Sequence, residues 1–113
     1  MLSVEWHPSG EFFVTGDYGD FILNHPPLLM FWDKEGNMIR SIEKSKNEYR
    51  NLRWTSNGER LATASDKVRV WTKEGKLLKE KNMGSLLWGI DWDNKDERIV
   101  VTSEDGRVVF FDP

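Results

Sequence analysis

The chain has 113 residues, 38% of them hydrophobic and 31% charged, with 16 Lys plus Arg, 19 Asp plus Glu and a formal charge of −3 at pH 7. One small domain fits that length, and six Trp with 12% aromatic content supply a core, so gross disorder is excluded. No apolar run approaches the roughly 18 residues of a membrane span, the N-terminus MLSVEWHPSG lacks the pattern of a secretory leader, and the lack of Cys excludes disulfides, thiolate catalysis and zinc knuckles, so a cytoplasmic protein without membrane contact is expected.

In chain order, the first unit opens with an aromatic turn segment, Trp6-His7-Pro8-Ser9-Gly10-Glu11, followed by the β-rich run Phe12–Thr15. After an insertion between Tyr18 and Pro27 comes an aromatic-ended run, Leu29-Met30-Phe31-Trp32-Asp33, and then Lys34-Glu35-Gly36. The segment from Glu43 to Arg50 has one aromatic and high charge and reads as a loop. The second unit repeats the order: Arg50, Leu52 and Trp54 alternate toward one face, Thr55-Ser56-Asn57-Gly58-Glu59 turns, and Arg60–Ser65, Val68–Trp71 and Lys76–Lys81 give three further strands around Lys73-Glu74-Gly75. In the third unit Trp88, Ile90 and Trp92 alternate in the same way, ahead of Arg98–Val101 and Val108–Phe111. This predicts eleven strands in one repeat domain, with units at about 1–44, 45–82 and 83–113. Four antiparallel strands per unit, apolar on both faces, describe a propeller blade that must be covered by neighbours.

Charge is segregated along these units. Residues 1–33 carry five acidic side chains and no Lys or Arg, residues 34–81 carry 13 basic against seven acidic, and residues 82–113 carry three basic against seven acidic. The basic middle would suit an acidic partner or would solvate exposed strands. A pI near 5.4 argues against nucleic acid.

The turn segments at Trp6 and Trp54, the small polar runs Thr63-Ala64-Ser65 and Val101-Thr102-Ser103, and the endings Phe31-Trp32-Asp33, Val70-Trp71-Thr72 and Phe110-Phe111-Asp112 resemble the WD-repeat β-propeller family. The resemblance implies an all-β fold of four-stranded blades, the last lacking its outer strand, and an incomplete ring, because propellers have roughly four to eight blades. The Gly-His pair that usually precedes the first strand is absent, Ser45-Lys46-Asn47-Glu48 and Lys81-Asn82-Met83-Gly84 standing in its place. Blades held by aromatic packing and not by a buried polar network are therefore expected. The five tryptophans at strand ends, Trp6, Trp32, Trp54, Trp71 and Trp92, are expected in the core.

The family's top face, carried onto this sequence, falls on the insertion with Tyr18, Phe21, Asn24 and His25, on Lys46, Asn47 and Arg50, and on Asn82, Met83 and Trp88. These are the candidate partner-binding residues; Trp and Arg are frequent interface anchors. Two alternatives stand beside that role: an insertion folded over its own blade with Phe21 and Ile22 as anchors, and Arg50 and Trp88 serving ordinary packing beside Leu52 and Ile90. His7 and His25 lack a second His at ligand spacing, no phosphate-cradling Gly loop occurs, and neither metal nor cofactor is expected. The leading function is a non-catalytic scaffold for a protein or peptide, with two or three copies of the chain completing a ring. The alternatives are a piece of a longer propeller chain, or a propeller hydrolase using the channel carboxylates Glu5, Glu48 and Asp91.

Overall fold

A computed structural model describes residues 3–113, which form eleven strands and no helix. Sheet one contains β1 (Ser3–Trp6), β2 (Phe12–Gly16), β3 (Leu29–Asp33) and β4 (Met38–Ile42); sheet two contains β5 (Asn51–Trp54), β6 (Arg60–Ala64), β7 (Val68–Thr72) and β8 (Leu77–Lys81); sheet three contains β9 (Leu87–Trp92), β10 (Ile99–Ser103) and β11 (Val108–Phe111). Each is an antiparallel meander in sequence order. The sheets stand side by side in a slab of 39 × 37 × 19 Å, β5 lying between β1 and β9, and they do not close a ring. Within them no helix is long and apolar enough to cross a membrane.

The two Lys-Glu-Gly repeats close the β3–β4 and β7–β8 hairpins. In each, the glycine takes a left-handed φ, 90° at Gly36 and 89° at Gly75, and its N–H donates back to Asp33 or Thr72. Both hairpins then shift register by one residue, the bulge that follows a turn of this kind. Gly16 serves another purpose: a Cβ there would lie 2.4 Å from Cβ of Tyr49, so its bareness lets the β4–β5 connection pack against sheet one.

Two apolar cores fill the seams. Between sheets one and two, Val14, Leu29 and Phe31 meet Leu52, Trp54, Leu61 and Trp71, with Tyr49 above them. Between sheets two and three, Ala62, Ala64, Val68 and Val70 meet Leu87, Ile90, Trp92, Ile99, Val101 and Phe111. Each fully buried large side chain contributes about 1.5–3 kcal/mol.

Three expectations need correction. Trp54, Trp71 and Trp92 are buried, but Trp6 is 53% exposed and Trp32 only partly buried, because the face of sheet one that holds them has no neighbour. The alternation of Trp88 with Ile90 fails. Pairing of β9 with β10 shifts between Val101 and Ser103, giving β9 one extra residue, so that Leu87 and Ile90 both point inward while Trp88 turns out. Finally, sheet two does contain a buried polar network. Arg69, 2% exposed, reaches Asp66 Oδ1 at 2.7 Å, Ser65 Oγ at 3.2 Å and Glu80 Oε2 at 3.0 Å, and Ser45 Oγ lies 3.0 Å from the same Asp66 oxygen.

Candidate functional site

The insertion between β2 and β3 is built by two aspartates. Asp17 Oδ1 accepts the N–H groups of Gly19 and Leu28, pinning the base. Asp20 and His25 exchange backbone hydrogen bonds at 2.7 Å in both directions, and Asp20 Oδ1 accepts from the N–H groups of Ile22 and Leu23. Asn24 supplies the left-handed residue of the turn, with φ 57°. The product is a short projecting hairpin whose tip, Phe21-Ile22-Leu23, is 64–95% exposed. Phe21 and Ile22 therefore do not anchor the loop to its own blade.

The structure brings four expected residues together on this hairpin. Phe21, Asn24 and His25 form one wall of a cleft of about 450 Å³, and Lys44, Ser45 and Lys46 from the β4–β5 connection form the other. Tyr18, with Asp17, Ile22 and Glu48, lines a second, more acidic hollow of about 610 Å³ on the other side of the same hairpin. Asn47 is half-buried beside Lys46, its N–H donating to Ser45 Oγ.

Arg50 and Trp88 form a separate cluster. The Arg50 guanidinium lies 3.6 Å from the centre of the Trp88 ring, and its Nε and Nη2 donate to Glu48 Oε1 at 2.8 and 2.6 Å. Arg50 Nη1 is buried without a hydrogen-bond partner, and Trp88 is 52% exposed. This stack crosses the seam between sheets two and three. Asn82 is exposed and its Oδ1 caps the Gly84 N–H. Met83 does not join the surface: it is 7% exposed inside the second core, and its carbonyl accepts from Arg107. Ile22 and Leu23 were not among the expected contacts, although their place between Asp20 and Asn24, two turn formers, marks a projecting tip.

The carboxylates expected to line a channel are engaged in contacts within the chain. Glu5 meets Arg53 Nη1 at 3.1 Å, Glu48 is held by Arg50, and Asp91 Oδ1 accepts the N–H of Trp92. Burial raises the Glu5 carboxyl above its ordinary value, with Asp91 adding to the rise and Arg53 opposing it.

No family model matches the sequence, and none of the curated proteins does. Among solved structures, the chain is similar to the β-propeller domain of Cps50 (Swd1) from Myceliophteria thermophila, at 18% identity and a TM-score of 0.83, over 98% of this chain and 33% of that one. It is also similar to the C-terminal WD40 domain of Sif2, at 18% identity and a TM-score of 0.75, over 98% of this chain and 30% of that one. It thus spans about a third of the length of these structures. The three sheets have the fold of three consecutive blades of a WD40 β-propeller.

Proposed function

We propose that the chain is a non-catalytic interaction scaffold, a propeller sector whose apolar end faces are covered by further copies of itself and whose top face receives a protein or peptide. The observation that carries this reading is the outer face of sheet one. Val4, Trp6, Phe13 and Trp32 hold the repeat positions of Leu52, Trp54, Leu61 and Trp71, which are buried where sheet two receives its neighbour. Val4 and Trp6 are 62% and 53% exposed, so a surface of the kind that binds a blade stands open. The partnered state of Glu5 and Glu48 supports a structural use of those carboxylates over an acid or base role. The projecting tip, the cleft beside it and the Arg50–Trp88 stack give the top face its aromatic and polar contacts.

Light scattering on the purified polypeptide tests the reading. The expected result is a discrete multiple of the 13.3 kDa chain mass with high β-content. A monodisperse folded monomer would overturn self-completion and leave the open faces to blades of a longer polypeptide.

A further inference from the structure

The two internal seams follow one rule, and that rule specifies how a second copy docks. The residue after the turn glutamate of one blade packs on the first-strand Trp of the next: Phe12 meets Trp54 edge to face, ring centres 5.6 Å apart, and the Arg60 guanidinium lies 4.8 Å from the centre of the Trp92 ring. The third occurrence of each partner is left over. Arg98 follows Glu97 at the far end of the chain, and Trp6 stands exposed at the near end. Arg98 now rests 4.2 Å over Phe110 and 3.3 Å from Asp112, both on the open side of sheet three.

The faces around these residues match in the same sense. Sheets one and two present Val14, Leu29 and Phe31, or Ala62, Val68 and Val70, to the blade that follows. The equivalent side chains of sheet three are Val100, Val108 and Phe110, with Val108 65% and Phe110 53% exposed. At the seam between sheets two and three a hydrogen bond is added: Trp92 Nε1 donates to the Arg53 carbonyl of the preceding blade at 3.0 Å, whereas at the seam between sheets one and two Trp54 Nε1 is buried without a partner. At a third joint the equivalent pair is Trp6 Nε1 and the Asp91 carbonyl.

Resting on the self-assembly reading above, we infer that two copies join head to tail, with the outer face of sheet three of each copy packed on the outer face of sheet one of the other and Arg98 stacked on Trp6. Two such joints close six blades, within the four to eight that propellers hold, whereas three copies would give nine. Like faces do not meet in this arrangement.

The test uses two variants at exposed positions, Trp6→Glu and Phe110→Glu, each checked for wild-type β-content by circular dichroism. A carboxylate sealed into the apolar joint has no partner, so each variant alone is expected to be monomeric where the wild type is a dimer. Mixed one to one, they are expected to form a heterodimer, because the intact sheet three face of Trp6→Glu meets the intact sheet one face of Phe110→Glu. A wild-type dimer in which either variant alone still dimerises would overturn the head-to-tail joint while keeping self-assembly. Failure of the mixture to associate would also overturn the joint. A wild-type monomer would overturn both.

Discussion

Arg69 shows how a single side chain can replace a missing motif. Its repeat positions in the other blades are Met30 and Val109, both apolar, yet here a guanidinium is buried against Asp66, Ser65 and Glu80. Burial works against the Asp66 carboxylate, but the hydrogen bond and charge of Arg69, with the hydroxyls of Ser45 and Ser65, outweigh it and bring the carboxyl down to about 2 from an ordinary 3.8. A carboxyl depressed in the folded state contributes stability that is complete above its unfolded value and is lost as the pH falls through the folded value. The window therefore runs from about pH 4 down to about pH 2, and the contribution is about 2 kcal/mol. Urea unfolding at pH 6 and at pH 2.5 checks this. The wild type is expected to lose more stability between the two than Asp66→Asn does, by an amount approaching that figure, because the other depressed carboxyls, Asp33, Asp93, Asp96 and Asp105, titrate in both proteins.

At the scale of a strand pair, sheets one and two share a lock that sheet three has discarded. Trp32 Nε1 donates to Thr15 Oγ1 at 2.9 Å and Trp71 Nε1 to Thr63 Oγ1 at 3.0 Å, whereas Val101 and Phe111 hold both positions in sheet three. Removing one partner of a buried hydrogen bond leaves the other unsatisfied; replacing both by apolar groups is close to neutral. Thr63→Val is therefore expected to cost about 1–3 kcal/mol, and Trp71→Phe added to it to recover the part due to the stranded N–H, measured by denaturant unfolding. Thr15→Val is expected to cost less, since Trp32 is only partly buried and its N–H lies closer to water than that of Trp71. The strands themselves were legible because aromatic-ended runs lie between turn residues whose backbone demands are local, as at Gly36 and Gly75. Trp88 was not, because counting by twos from Trp92 has no means of registering the extra residue in β9. Arg69 escaped for a related reason: a charged residue between valines reads as a solvated strand face, and only the approach of Glu80 from the next strand and Asp66 from the turn shows otherwise. The insertion announced itself by its spacing, while Met83, between Asn82 and Gly84, looked like loop and lies in a core.

Across the whole molecule, the residues before the three first-strand Trp are Glu5, Arg53 and Asp91 in turn. Within the chain this gives an attractive neighbour pair, Glu5 with Arg53 at 3.1 Å. The head-to-tail joint adds a repulsive one, since Asp91 of one copy then neighbours Glu5 of the next, and the two joints of the dimer contain it twice. Burial already disfavours the charged form of Glu5, so lowering the pH through the carboxylate range is expected to tighten the dimer, with Arg53 remaining charged throughout. Asp91→Asn removes the repulsion and keeps an amide oxygen to accept the Trp92 N–H, as Asp91 Oδ1 does. Exposed charge pairs are worth about 0.2–1 kcal/mol, so the substitution is expected to tighten each joint about 1.4- to fivefold, and the dimer with its two joints about two- to thirtyfold, at pH 7 in sedimentation equilibrium. Salt discriminates the cause: raising the ionic strength screens like charges, so it should tighten the wild-type dimer and have less effect on Asp91→Asn. Equal tightening of both by salt would assign the gain to apolar burial, and weaker association of Asp91→Asn would mean that Asp91 meets a cation across the joint.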